Sequence, residues 1–194
     1  GVKGNYKKCF KLYELLKQNN INCNFGITLS DQNNDFVEKK FYHYKDLIKA
    51  VTFVHNHGIF NIKKKVEDSK IIRSLNTIYK NYNLTKLEHI IEKIHLKISI
   101  IFLEKNREKN IIPCDVINSS VHLMPNGDVK PCMFMKRIGN IRENSLTDIL
   151  KKKDTKKVLS EIKKNNCPKC WMNCYSPHSI MQQPIKSLYN YIVK

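Results

Sequence analysis

The sequence lacks a long apolar segment. Its longest nearly uninterrupted apolar run, Ile98 to Leu103, is far shorter than the roughly 18 to 20 residues that a membrane-spanning helix needs. We therefore expect no membrane span. The first residues, Gly1 to Tyr6, contain neither a starting Met nor the apolar core of a secretory leader. We expect further residues upstream of Gly1 and a cytoplasmic location.

Acidic side chains and arginine are also scarce. The chain has 35 Lys and Arg against 17 Asp and Glu, a formal net charge of +18, which would ordinarily suggest nucleic acid or an anionic surface as partner. Only four of the 35 basic residues are Arg, the side chain most used in specific phosphate and base recognition. With 22 Asn and 24 Ile, the lysine excess is typical of compositional drift. We expect a solvated lysine surface and no nucleic-acid partner.

The seven cysteines are an odd number. Without a secretory leader a disulfide framework is a poor explanation, because cytosolic thiols stay reduced, and metal binding is the better hypothesis. Cys9 and Cys23 stand alone, and we predict that both are small buried hydrophobes. The other five lie in the last 81 residues: Cys114, Cys132, Cys167, Cys170 and Cys174.

Hydrophobic periodicity predicts alternating helices and strands in the first 62 residues. The predicted elements are a helix over Tyr6 to Asn19, a strand over Ile21 to Leu29, a polar loop over Ser30 to Asn34, a helix over Tyr44 to Asn56 with Leu47, Ile48, Val51 and Val54 on one face, and the start of a strand at Ile59 to Ile62. This order is typical of an α/β barrel or a layered sheet.

The following residues predict one long helix and then a small cysteine-rich region. Asn61 to Asn83 shows no sustained period, and a helix is predicted over Thr85 to Leu103, with Thr85 and Glu88 as a capping box. Val121 to Cys132 predicts a hairpin, because its Asn-Gly pair accepts positive φ readily. Two short helices are predicted after it, one capped by Ser145 and Asp148, the other beginning at Asp154.

The cysteine spacing favours a shared metal site. A hairpin that turns at Gly127 folds Cys114 and Cys132 toward the same end, and Cys167 and Cys170 form a C-x-x-C knuckle that can point two sulfurs at one centre. Four thiolates fit either a tetrahedral zinc ion or a cubane iron-sulfur cluster. The spacing alone does not choose between them. His122 and His178 flank the cysteines and could be ligands of a mixed Cys/His site, but we expect neither to bind a metal, and His122 should be packed within the hairpin.

This cysteine region resembles the SPASM and twitch domains of radical S-adenosylmethionine (radical SAM) enzymes. The resemblance is carried by Cys114 and the string Met-Pro-Asn-Gly-Asp-Val-Lys-Pro-Cys that ends at Cys132. It continues through the Ile-Gly-Asn-Ile segment at 138–141, the following helix at 144–150, and the closing Cys-Pro-Lys-Cys-Trp at 167–171.

The resemblance implies one auxiliary 4Fe-4S cluster. Its ligands would be Cys114, Cys132, Cys167 and Cys170, with Cys174 as an alternative ligand, a neighbouring thiol or a core residue. The full SPASM pattern, seven cysteines for two clusters, is not met, so a single-cluster, twitch-like site is expected. Trp171, beside the knuckle, would either cover the cluster and limit solvent access or serve in packing alone.

The resemblance also implies the domain organisation and fold class, which is α/β. Residues 1–103 would be the C-terminal part of a partial (β/α) radical SAM barrel, and residues 104–194 a SPASM/twitch-like domain with a hairpin and short helices around the cluster. The C-x-x-x-C-x-x-C motif that binds the S-adenosylmethionine-cleaving cluster is absent, so no catalytic residue is assigned. Thr28, Ser30 and Asn33 lie at the C-terminal end of a predicted strand, where barrel ligands bind, and are candidates for cofactor contact.

The leading functional hypothesis is therefore the C-terminal part of a radical SAM enzyme. The intact protein would hold S-adenosylmethionine and a second 4Fe-4S cluster, generate a 5′-deoxyadenosyl radical, and act on a small-molecule or peptide substrate. A reductant such as flavodoxin or ferredoxin is implied, and the auxiliary cluster would relay electrons or position substrate. The alternatives are a zinc-stabilised basic module that binds nucleic acid and a non-catalytic iron-sulfur protein for electron transfer or scaffolding.

Overall fold

A computed structural model describes residues 4–55, 66–82 and 87–193. The elements before the cysteine region are α1 (Asn5–Gln18), β1 (Phe25–Leu29), α2 (Asn34–Tyr44), β2 (Ile48–Phe53), α3 (Asp68–Asn81) and α4 (Leu87–Glu104). The predicted first helix and first strand are confirmed, although β1 begins only at Phe25. The predicted strand at Ile59 to Ile62 and the Thr85/Glu88 capping box lie outside the described residues.

The two strands β1 and β2 form a parallel pair joined by α2. Their register aligns Ile27 with Val51 and Leu29 with Phe53. Parallel neighbours need a crossover connection, usually a helix, and α2 provides it. Leu29, Val51 and Phe53 are buried beneath the helices. The polar residues that follow β1 therefore lie at the carboxyl edge of this small sheet.

The predicted helix over Tyr44 to Asn56 is wrong. A helix does end at Tyr44, but it is α2, and Ile48–Phe53 is the strand β2. The apolar residues of this segment fit a helical period, yet short apolar runs do not separate a buried strand from a helix. Pairing with β1 decides the outcome here. The polar loop predicted after β1 is confirmed up to Asn33, and the chain becomes helical at Asn34.

The helices α2, α3 and α4 cover the sheet and form the main core. The predicted long helix is confirmed as α4 over its described residues, while α3 lies in the segment without a sustained period. Ser74 of α3 and Asn34 of α2 are both buried and share a hydrogen bond of 2.6 Å. The core continues into Trp171 and Ile180, so it includes residues on both sides of position 103. The domain limits given above remain a prediction.

Arg107 fixes the chain where it leaves α4 toward the cysteines. Its guanidinium donates two hydrogen bonds to the carboxylate of Asp68, at 2.6 and 3.1 Å, and one to the carbonyl of Val54 at 3.0 Å. It also lies 5.3 Å from the ring centroid of Phe53. A planar guanidinium can make all these contacts at once, which an ammonium cannot.

The cysteine region contains a small antiparallel sheet and four short helices. Its elements are β3 (His122–Leu123), β4 (Asp128–Lys130), β5 (Gly139–Asn140), α5 (Leu146–Lys151), α6 (Lys153–Lys163), α7 (Ser176–Gln182) and α8 (Pro184–Val193). The strand order is β3-β4-β5. The mixed α/β class is confirmed. None of the helices in the described ranges is long and apolar enough to cross a bilayer.

Candidate metal centre

The predicted hairpin is confirmed, with a turn that uses one left-handed residue. Met124 donates to the carbonyl of Asp128, and Gly127 donates to the carbonyl of Met124, both at 2.9 Å. Gly127 has a φ of 86°, the conformation that glycine adopts without steric cost. These hydrogen bonds close a three-residue hairpin loop, so the Asn-Gly pair does not form a two-residue turn by itself. Asn126 instead accepts a hydrogen bond from the Asp128 amide at 3.1 Å.

The Gly-Asn segment in β5 holds the hairpin in place. The side-chain amide of Asn140 donates to the Asp128 carboxylate at 3.0 Å and to the carbonyl of Asn126 at 3.2 Å. Its oxygen accepts from the Arg142 amide at 2.8 Å. Hydrogen bonds from Arg137, Asn126 and Asn140 lower the pKa of Asp128. The charged carboxylate of Asp128 therefore joins β4 to Asn140 in β5.

Gly139 is required by close packing against α5. A Cβ at this position would lie 2.8 Å from Cγ1 and Cγ2 of Ile149, a fully buried side chain. We expect Gly139→Ala to destabilise the protein by about 2 kcal/mol, because overpacking a tight core forces neighbouring groups apart. Urea unfolding measures this cost. The control is Gly26→Ala in β1, where the nearest atom is 3.8 Å away. Equal stability of the two variants would contradict the proposed contact.

The two short helices after the hairpin are confirmed as α5 and α6. Ser145 caps α5, since its hydroxyl accepts from the Asp148 amide at 3.1 Å. Ile149 of α5 and Ile162 of α6 are fully buried. Ile162 packs beside Cys132 in a second, smaller apolar cluster. Helix α6 therefore supplies part of the apolar surroundings of the cysteines.

The structure brings four of the predicted site cysteines to one cavity. Cys114, Cys132, Cys167 and Cys170 line it together with apolar side chains that include Val116, Phe134, Met135, Ile162 and Tyr175. All the cysteines are free thiols. The cavity has a volume of about 20 Å³, room for one water molecule.

These four thiols share a backbone hydrogen-bond pattern. Each interacts with the backbone of the residue two positions further on: Cys114 with Val116, Cys132 with Phe134, Cys167 with Lys169, and Cys170 with Met172. Each of these interactions lowers the thiol pKa, as donation from an N–H group to sulfur does. The backbone is therefore arranged to stabilise four thiolates.

Burial acts in the opposite direction on the same groups. It raises the pKa of Cys114 to about 11 and that of Cys170 to about 12, and it also raises the pKa values of Cys132 and Cys167. Without a metal these thiols are therefore protonated at neutral pH. Metal uptake must release their protons. The charge of Lys130 lowers the pKa of Cys132, and that of Lys169 lowers the pKa of Cys167.

The remaining three cysteines lie outside this cavity. Cys174 is exposed, and its backbone hydrogen bond is with its own main chain, unlike those of the four thiols above. Cys9 is exposed on α1, a helix without a buried residue, so the prediction that it is a small buried hydrophobe is wrong. Cys23 is half-buried. An apolar period predicts which face of α1 is less polar, but not whether another layer covers it.

Trp171, His122 and His178 lie near the cysteines in the sequence, but none of them lines the cavity. Trp171 is buried in the main core, where its ring stacks on that of His95, and it is not among the residues that line the cavity. Its packing role is therefore the one observed. His122 lies in β3 opposite Lys130, and His178 is exposed on α7.

His95 is a residue that the sequence patterns did not single out. It is fully buried in α4, and its Nδ1 lies 2.7 Å from the Ser176 hydroxyl. His95 lies four residues after Ile91 and three before Ile98, so it falls on the apolar face of the predicted helix, and this position is the signal that could have indicated it. The orientation of its ring toward the cysteine region follows only from the tertiary structure.

Of the candidate cofactor residues, Thr28 lies near the end of β1, and Ser30 and Asn33 lie in the loop between β1 and α2. The Asn33 amide donates to the carbonyl of Thr28 at 2.8 Å, and its oxygen accepts from the Ser30 amide at 2.9 Å. These bonds shape the carboxyl edge of the sheet. A cofactor contact for these residues remains a prediction.

A hairpin and a knuckle thus bring four thiols to one cavity, two of them buried and two half-buried, which is the donor set of a candidate metal centre. Residues 114–175 match the family model of the SPASM domain, an iron-sulfur cluster-binding domain. The predicted resemblance to a SPASM domain is thus confirmed for this region. No curated protein and no solved structure matches the chain.

Proposed function

We propose that this chain is the C-terminal part of a radical SAM enzyme and that its SPASM domain holds one auxiliary 4Fe-4S cluster. The proposed ligands are Cys114, Cys132, Cys167 and Cys170. The observation that carries the proposal is the meeting of these four thiols at one cavity, each beside a backbone group that favours its thiolate form. Hydrogen bonds of this kind also tune the potential of a cluster.

The family match favours a cluster over a zinc ion, because residues 114–175 are similar to a domain that binds iron-sulfur clusters. Four thiolates alone would fit either a tetrahedral zinc ion or a cubane. A cubane takes one thiolate at each of its four iron corners, and the four cysteines that line the cavity would supply this set.

In the proposed enzyme the auxiliary cluster supplies electron transfer or a site for substrate binding. The chain's own residues hold it between the hairpin and the knuckle and surround it with apolar side chains. The β1-α2-β2 unit would belong to the C-terminal part of the barrel, with Thr28, Ser30 and Asn33 at the edge where cofactors bind. S-adenosylmethionine, a second cluster, a small-molecule or peptide substrate and a protein reductant belong to the intact enzyme.

Anaerobic reconstitution with iron and sulfide tests the cluster. We expect about four iron atoms per chain and broad thiolate-to-iron absorption, as for a cubane. Uptake should increase from pH 6.5 to pH 8.5, because the protonated thiols must release protons. Cys9→Ser is the control, since Cys9 is exposed and does not line the cavity. Stoichiometric zinc binding with no iron uptake would refute this half of the proposal.

The radical SAM half is tested by the gene upstream of Gly1. We expect it to encode a C-x-x-x-C-x-x-C motif after a first strand. An upstream reading frame without this motif would leave a non-catalytic iron-sulfur protein as the better description. The chain as given should not form 5′-deoxyadenosine from S-adenosylmethionine under reducing conditions, because it lacks that motif.

A further inference from the structure

The knuckle cysteine Cys170 lies between two residues with left-handed backbone conformations. Lys169 has a φ of 57° and Trp171 a φ of 39°. This region is disfavoured for residues other than glycine. Such a conformation persists only when contacts from the surrounding structure hold it. The direction of the Cys170 side chain therefore depends on what fixes its neighbours.

His95 supplies contacts on the Trp171 side of this segment. The two rings stack with centroids 5.9 Å apart and planes inclined by 19°, and both side chains are buried. The His95 ring also makes a hydrogen bond with the backbone of Val51 in β2. Its orientation is thus fixed from the sheet, independently of the cysteine region.

The His95 ring also contacts the residue that begins α7, on the C-terminal side of Cys174. Nδ1 of His95 lies 2.7 Å from the hydroxyl of Ser176, which begins α7 two residues after Cys174. One buried side chain therefore contacts the residue after Cys170 and the start of the helix that follows Cys174. In this arrangement Cys170 is buried at the cavity and Cys174 is exposed.

We propose that His95 is a positioning residue of the metal centre, which directs Cys170 into the cavity through its contacts with Trp171 and Ser176. We name this set of three residues the His95 bridge. The iron readout rests on the function proposed above, whereas the thiol readout does not. Residues that orient metal ligands typically change metal affinity by about 10 to 100-fold when they are replaced.

The test uses two variants and a matched control. His95→Phe keeps an aromatic ring but removes the hydrogen bonds, and Ser176→Ala is the smaller change. The control is Ser99→Ala, because Ser99 is also a buried serine and donates to the backbone carbonyl of His95 at 2.7 Å, not to its ring. If His95→Phe does not fold, Ser176→Ala still decides the question.

The first measurement is thiol alkylation of the cluster-free protein, mapped by mass spectrometry. We expect Cys170 to react roughly ten-fold faster in both bridge variants than in Ser99→Ala, with Cys114 and Cys132 unchanged. A purely structural role would loosen all the cavity thiols together. An equal increase at Cys114, Cys132 and Cys170, or no increase at any of them, would overturn the proposal.

The second measurement is the rate of iron loss from the reconstituted protein to a chelator. We expect it to be roughly 10 to 100-fold faster in the bridge variants than in the control. The wild-type protein could take up no iron while Cys170 alone reacts faster with the alkylating reagent in the variants. That outcome would overturn the proposed cluster and support the bridge. Unchanged iron loss in both variants would overturn the bridge.

Discussion

Replacement of Cys114, Cys132, Cys167 or Cys170 by alanine should empty the metal centre, whereas Cys174→Ala should retain its iron. The first four thiols line the cavity, and four thiolates complete a cubane. Loss of any one leaves an iron corner without its protein ligand. Cys174 is exposed and does not line the cavity, so its loss should leave the cluster in place.

The effect on folding should also separate the four ligand variants from Cys174→Ala. A cluster would join the hairpin to the knuckle, so each of the four variants should also show greater protease sensitivity between residues 114 and 174, as metal-coupled folding requires. Cys174→Ala should keep most of its protection.

Iron content and absorption of the five variants, prepared in parallel under anaerobic conditions, measure the first result. Limited proteolysis with mapped cleavage sites measures the second. Iron lost from Cys174→Ala but retained in Cys167→Ala or Cys170→Ala would show that the ligand assignment is wrong. It would also show that the knuckle rearranges around a different set of thiols.

Sequence reasoning predicted the grouping of the four cysteines better than the fold around them. The ligand candidates are specified locally, because a hairpin turn at Gly127 and a C-x-x-C knuckle each place two thiols through short-range geometry. The backbone interactions on the four thiols follow from the same local geometry, each reaching the residue two positions further on. No long-range packing is needed to predict such features.

The failures concern features that tertiary contacts decide. The segment Ile48–Phe53 is a strand because β1 pairs with it, and no period within six residues shows that a partner exists. Cys9 is exposed because the contacts of α1 with the rest of the fold, such as that of Phe10 with Phe25, leave this helix without a buried residue. The packing of Trp171 against His95 joins residues 76 positions apart. The sequence therefore predicted which cysteines come together at one cavity, but not the structure that orients them.

A second large effect is expected in the acid stability of the protein, and it depends on His95. Burial lowers the pKa of His95 to about 4 from an ordinary value of 6.5. Between pH 6.5 and pH 4 the unfolded chain therefore binds a proton that the folded protein does not. The stability contributed by the neutral ring is present above pH 6.5 and is lost as the pH falls toward 4.

Glu92, one turn earlier on the same helix, acts in the opposite direction. Burial raises the pKa of its carboxyl to about 7, so acidification from pH 7 to about 4.5 favours the folded state at this residue. The two effects partly cancel in the wild-type profile. A comparison of the wild type with His95→Phe removes the contribution of Glu92, because both proteins contain it.

We expect the difference in unfolding free energy between the wild type and His95→Phe to change by about 3 kcal/mol in favour of the variant as the pH falls from 7 to 4, the linkage value for this pKa difference. At pH 7 the variant should be the less stable protein, since it leaves the buried hydroxyl of Ser176 without its partner. Urea unfolding of the two cluster-free proteins at several pH values measures the difference.

Glu92→Gln should alter the wild-type profile in the opposite sense, with a loss of the stabilisation between pH 7 and pH 4.5. Parallel profiles for the wild type and His95→Phe would show that the buried ring titrates normally and that α4 opens to water in this pH range.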